Sequence, residues 1–172
     1  GVDEHLRTAV QALIKAAQLA TLQAAILADA ELAAQPNTPA GHAIIAATLN
    51  TVAAPDFVVW KTAVVADEIM RNGMDWARVD NLTVGKARIW DWMTRLGTFD
   101  ASKANVRAGI NATWVGTAAD LAVRAQVYTH CKRPALRIEK VYATGTGSTA
   151  DPATMTREGT VSMDEVEQAR AL

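Results

Sequence analysis

Residues 3–34 read DEHLRTAVQALIKAAQLATLQAAILADAELAA, and the spacing of their apolar positions decides the fold class. Leu6, Val10, Leu13, Ile14, Ala17, Leu19, Leu22, Ile26 and Leu27 recur at intervals of three and four, the period of an α-helix. Asp3 and Glu4 at the start suit the positive end of the helix dipole. Gln35-Pro36-Asn37 ends the segment, because proline disfavours helical backbone in the residue before it. Thr21 is either a cap that divides the segment into two helices or a passenger in one long helix. Gln11, Lys15, Gln18, Gln23, Asp29 and Glu31 interrupt the apolar run, so a membrane span of about 20 uncharged apolar residues is not expected. Without a basic start, an apolar stretch and a cleavage site, no signal peptide is expected either.

Working outward, helices follow one another. Thr38-Pro39 reads as an N-cap and first helical residue, leading through His42, Ile44, Ile45 and Leu49 to Asn50. Phe57-Val58-Val59-Trp60 is the one short β-rich run, a strand or a buried extended connector. Val64 to Met70 reads as a short helix stopped at Asn72-Gly73. Thr83 caps the next, ending at Gly97; Asp100 caps another, through Val106, Ile110 and Trp114; Thr117 caps a third, ending before Cys131. Pro134 can begin a turn-rich helix from Ala135 to Tyr142. From Ala143 to Thr154 the chain is small, polar and rich in Gly and Thr, which predicts a looped arm, and Ser162 caps a last short helix from Met163 to Ala171. The expected fold is mainly α: a helical bundle body over 1–142, an extended segment near 57–62, and an irregular C-terminal arm over 143–172 that is not an independent domain.

The composition agrees. The chain has 172 residues, 50 % hydrophobic and 5 % aromatic, with alanine about a fifth of the total, which favours closely packed helices over an all-β sandwich. A net charge of −1 conceals segregation. Residues 1–70 carry 3 Lys/Arg against 7 Asp/Glu, residues 71–140 carry 12 against 6, and residues 141–172 carry 2 against 5. Such a layout serves internal balance, head-to-tail joining of copies, or contact of the basic part with nucleic acid. A dedicated sequence-specific DNA reader would carry a positive excess over the whole domain.

Reactive residues are few. His130 and Cys131 are neighbours in sequence, but adjacent helical residues point about 100° apart, so Cys/His catalysis, with a carboxylate such as Asp120, is the lesser reading beside a packed free thiol. One Cys and the dispersed His5, His42 and His130 make no zinc motif. Gly145-Thr146-Gly147-Ser148 lacks the Lys-Ser/Thr and following helix of a phosphate loop, since Thr149-Ala150-Asp151-Pro152 follows it. Trp90 and Trp92 lie on different faces of one helix, so either one serves a second contact surface or both belong to the core and its edge. Arg133, Arg137 and Lys140, spaced by four and three beside Lys132, are expected along one helix face as a solvated, phosphate-binding or acid-pairing patch.

Three blocks together carry a resemblance: Phe57 to Thr62 (FVVWKT), Val79 to Trp90 (VDNLTVGKARIW), and Lys132 to Lys140 (KRPALRIEK) running into Ala143 to Ser148 (ATGTGS) and Pro152-Ala153-Thr154. From about residue 20 onward the chain resembles a family of small virion proteins of tailed double-stranded DNA bacteriophages, and in kind it is most similar to head–tail adaptors, or connectors, that dock beneath the portal ring. The resemblance implies a ring, commonly of twelve copies, in the virion neck, synthesised in the host cytoplasm. Such a ring extends the DNA channel and docks tail or nozzle proteins. Its partners would be its own copies, the portal protein, tail or nozzle proteins and, non-specifically, packaged DNA, with no membrane, metal, cofactor or catalytic residue. Its interface candidates are Lys132, Arg133, Arg137, Lys140, Thr144, Gly145, Thr146, Gly147, Ser148, Trp90 and Trp92. Another virion station, such as tail completion or a tube neighbour, and a DNA-contacting accessory protein are the alternatives. An arm over 143–160 that orders only on assembly suits this geometry.

Overall fold

The computed structural model describes residues 2–172. Among these, 59 % are helical and strands occur only in small pairs, so the fold is mainly α. The helices and strands are α1 (Val2–Ala28), α2 (Ala30–Ala33), α3 (Pro39–Leu49), β1 (Val58–Trp60), β2 (Val64–Val65), α4 (Ala66–Arg71), α5 (Trp76–Asp80), α6 (Val84–Arg95), β3 (Thr98–Phe99), α7 (Ala104–Thr113), α8 (Ala118–His130), β4 (Lys132–Pro134), α9 (Arg137–Val141), β5 (Ala143–Thr144), β6 (Thr154–Met155) and α10 (Met163–Arg170). The chain forms two compact units: one from residues up to Asp56 with Ala135–Thr144 and Thr156–Leu172, the other from Phe57–Pro134 with Gly145–Met155.

In the first unit α1 runs unbroken through Thr21, whose hydroxyl bonds back to the Ala17 carbonyl at 3.0 Å. The break comes at Asp29 instead: its backbone is extended and its carboxylate accepts from the N–H groups of Glu31 and Leu32, starting α2. Leu22 and Ile26 of α1 are buried with Leu32, Ile45 and Leu49, with Ile138 of α9, and with Val166 and Ala169 of α10. Thr38 caps α3 as expected, and Ser162 forms a reciprocal capping box with Glu165 at the start of α10. Asn50 fixes the approach to α10 by giving and taking a hydrogen bond with the Val161 backbone, at 2.9 and 2.8 Å.

The second unit packs around Trp114, which is fully buried and meets Trp90 edge to face at 5.2 Å. Val64, Ile69, Met93, Phe99, Ile110, Val123, Val127 and Cys131 complete this core. Thr83 and Thr117 cap α6 and α8 as their sequence positions predict, the latter in a capping box with Asp120. Asp100 starts a turn rather than α7; its carboxylate binds the Ser102 N–H, and α7 begins only at Ala104. Val64 and Val65, expected to be helical, pair instead as a short strand with Phe99 and Thr98. The stretch after Cys131 likewise pairs, with Lys132, Arg133 and Pro134 opposite Trp60, Val59 and Val58, which delays α9 to Arg137. Both differences have one cause: a strand partner distant in sequence outweighs local helix preference.

Truncating the two cores should cost stability by the usual cavity penalty. Trp114→Ala is expected to lose about 3–5 kcal/mol and Ile26→Ala about 2–5 kcal/mol, read from urea unfolding midpoints.

Candidate interaction surfaces

The expected basic face does not exist as one helix face. Lys132 and Arg133 lie in β4, while Arg137 and Lys140 lie in α9. Lys132 donates to the Thr149 carbonyl at 2.8 Å, with its ammonium 5.5 Å from the centre of the Trp60 ring. Arg133 donates to the Pro134 carbonyl and reaches Met155 Sδ at 3.5 Å. Arg137 binds the Asp29 carboxylate at 2.7 Å, both side chains about one third exposed. Lys140 is exposed on α9 and borders a cavity of about 550 Å³ that Asp29, Thr51 and Arg137 also line. Lys132, Arg133 and Arg137 are therefore engaged inside their own units.

The Asp29 carboxyl is held below the usual aspartate range, first by the N–H of Leu32 and further by the N–H of Glu31 and the Arg137 guanidinium, against a raising contribution from burial. A carboxyl depressed on folding stabilises above its unfolded pKa and loses that contribution as pH falls through its folded value. The loss of stability on going from pH 5 to pH 2 should accordingly be smaller in Asp29→Asn than in the parent chain.

The Gly/Thr-rich stretch is irregular but tied down, which departs from a mobile arm. Gly147 is buried with φ +70°, and its carbonyl accepts from the Val58 N–H at 2.7 Å. A Cβ there would strike the Phe57 ring. Two residues beyond the loop, Ala153 donates to the Val58 carbonyl and accepts from the Trp60 N–H. Thr146 Oγ1 donates to the Asp151 backbone and carboxylate, both at 2.9 Å, and Ser148 Oγ accepts from the Asp151 N–H. Gly145 takes φ +122°, and Thr144 is exposed beside it. Residues 145–155 should resist limited proteolysis in the free chain, and Gly147→Ala should open them to cleavage; early nicking of the parent chain there, detected by mass spectrometry, would contradict the loop's anchoring.

Trp90 and Trp92 divide as their faces require: Trp90 is buried against Trp114, and Trp92 is 66 % exposed. Trp92 borders an open groove of about 710 Å³ between α6 and α7, whose apolar wall includes Ile89, Met93, Leu96, Phe99 and Val106. Gly109 lets the α6 side chains approach α7 closely, since a Cβ there would lie 3.0 Å from the end of the Met93 side chain. The sequence reading singled out Trp92 but missed the groove, whose walls join only through the α6–α7 packing.

A second surface, on α1, was also hidden by its own periodicity. Every residue from Val2 to Gln18 is exposed. Leu6, Val10 and Leu13 are 58 %, 51 % and 70 % exposed, and with Val2 and Ala17 they form a continuous apolar stripe. At 100° per residue this stripe lies nearly opposite Leu22 and Ile26, the face that the first unit buries. By length and composition α1 is also long and apolar enough to cross a membrane, contrary to the expectation from its polar interruptions.

Cys131 is fully buried and its pKa is pushed up to about 12, chiefly by that burial, with Lys61 and Lys132 pulling it back only in part. Such a thiol stays protonated near neutral pH and is shielded from reagents. Iodoacetamide at pH 8 should leave the native chain unmodified and label Cys131 fully in denaturant, as measured by intact mass. In comparison with known proteins, the chain matches no family model, no curated protein and no solved structure.

Proposed function

We propose that the chain is a structural assembly protein of a tailed bacteriophage, a head–tail adaptor that forms a ring below the portal, extends the DNA channel and docks tail or nozzle proteins. The station rests on the resemblance of the FVVWKT, VDNLTVGKARIW and KRPALRIEK…ATGTGS blocks. The observation that carries an assembly role is the apolar stripe of α1, exposed from Val2 through Leu13. Contiguous exposed apolar surface of this kind marks a site of macromolecular contact. Trp92 and Leu96, 66 % and 62 % exposed, add a second such surface on the other unit.

The residues of these blocks have a structural use in this reading. Ala135, Ile138 and Glu139 of the KRPALRIEK block are buried, and Gly147 of ATGTGS holds a loop onto β1. These residues would preserve the subunit's shape, while contact falls to α1 and the α6–α7 groove. The DNA-contacting alternative draws on the +6 charge of residues 71–140, yet Lys132, Arg133 and Arg137 each donate to a partner within the chain. Steep salt dependence of duplex binding by the free subunit would favour that alternative.

The test is location. Antibodies raised against the chain should label intact phage particles at the head–tail junction, and particles lacking it should accumulate filled heads without attached tails. Label confined to the tail tip, or absence of the chain from intact wild-type particles, would overturn the adaptor reading.

A further inference from the structure

The chain carries a ridge without a groove and a groove without a ridge. On α1, Leu6, Val10 and Leu13 stand at i, i+4 and i+7 on one exposed face, the spacing by which an amphipathic helix anchors in an apolar groove. Between α6 and α7, Ile89 and Trp92 of α6, Leu96 just after it, Phe99 of β3 and Val106 of α7 line such a groove, open to solvent. We infer that α1 of one copy lays its Leu6, Val10 and Leu13 stripe into the α6–α7 groove of the next copy, so that copies join head to tail. The inference rests on reading the chain as an assembly protein and names the surfaces by which it would assemble.

Charge favours a second copy as the occupant. The stripe begins in an acidic first turn, Asp3 and Glu4, with Asp3 on the stripe's flank and Arg7 one turn beyond it, and the groove's own lining carries Arg88 and Asp100. The groove belongs to a cationic segment: residues 84–113 hold Lys86, Arg88, Arg95, Lys103 and Arg107 against Asp91 and Asp100. Arg88 lies exposed on the groove's rim, while Arg95 is already paired with Asp91 at 3.0 Å. Docking the acidic turn beside Arg88 joins opposite charges at the edge of an apolar contact, an arrangement that fixes direction and register.

Area then limits the strength of a single contact. The exposed part of α1, Val2–Gln18, spans about 25 Å, which with a helix width of about 11 Å gives a footprint of roughly 300 Å². A stable pair needs about 800 Å² per partner. One helix in one groove is thus too small for a stable dimer. A heterologous contact gives every copy two such junctions, and a closed ring makes each dissociation break both.

Sedimentation velocity from 1 µM to 1 mM tests this on the full chain, with circular dichroism confirming that each variant folds. The parent chain should associate with rising concentration. Leu6→Glu/Leu13→Glu in the ridge and Trp92→Glu/Leu96→Glu in the groove should each raise the concentration for half-association at least tenfold. An equimolar mixture of the two variants retains one working ridge and one working groove, so it should form pairs and nothing larger. Asp3→Arg and Arg88→Asp should each weaken association, and combining them in one chain should restore it. A groove variant that assembles like the parent while the ridge variant does not would show that α1 pairs with α1, overturning the inference and leaving the assembly reading intact. A parent chain monomeric at every concentration, or one that floats with phosphatidylcholine vesicles through the ridge, would overturn it as well, whereas failure of the adaptor reading would appear only in particle labelling.

Discussion

The Glu139 carboxylate is 1 % exposed, and its two oxygens accept from backbone N–H groups brought from far apart. Oε1 takes the Leu136 N–H at 2.8 Å, closing the first turn of α9; Oε2 takes the Gly159 N–H at 3.1 Å, in the turn that leads to Val161 and α10. A buried carboxylate is tolerable only where such donors replace its water, and removing it would strand them. The residues around it share this role. The Ala135 carbonyl accepts from Ala53, and Arg137 donates its backbone N–H to Thr51, so the start of α9 is laced to the end of α3 on one side and to the α10 turn on the other. α1 packs its Leu22 and Ile26 face into the core that results.

This explains why the KRPALRIEK block reads so distinctly in sequence yet supplies so little free surface. Pro134 ends the pairing of β4, Ala135 and Ile138 are fully buried, and Glu139 and Arg137 are committed to neighbours within their unit. A charged side chain in a segment of this kind is a poor guide to an interface, because its charge is used internally. Contact surface is found where apolar side chains lack an internal use, and on that measure Leu13 of α1 and Trp92 of α6 stand out more than any cation.

Capping was the most legible part of the fold. Thr38, Thr83, Thr117 and Ser162 start α3, α6, α8 and α10 where a side-chain oxygen can accept from a first-turn N–H, and that chemistry involves only residues within three of the cap. What the sequence concealed was non-local. Val64 and Val65 become a strand because Phe99 and Thr98 lie opposite, and Arg133 leaves the helix because Val59 does the same for it. The split of Trp90 from Trp92 was legible, since two residues on a helix differ by about 200° in direction, whereas the groove beside Trp92 needs α7 in place. The opening segment was the instructive case. Its three-and-four spacing is shared by two stripes on opposite sides, and periodicity establishes that a helix has an apolar face without telling which face the core will take.

Two apolar stripes on one helix carry a cost that bears on how the surface is used. Each exposed side chain left in water forgoes roughly 1.5–3 kcal/mol relative to full burial, so Leu6, Val10 and Leu13 together hold back several kcal/mol that folding alone does not recover. Association recovers only part of this, because translational and rotational freedom must first be given up. For one isolated contact of the proposed kind the two quantities are of similar size, which would keep copies apart at low concentration. Closure alters the balance, since the last copy added to a ring forms two contacts while losing its freedom once. A ridge and a groove on different parts of one chain therefore suit an assembly that must remain dispersed until many copies are gathered in one place.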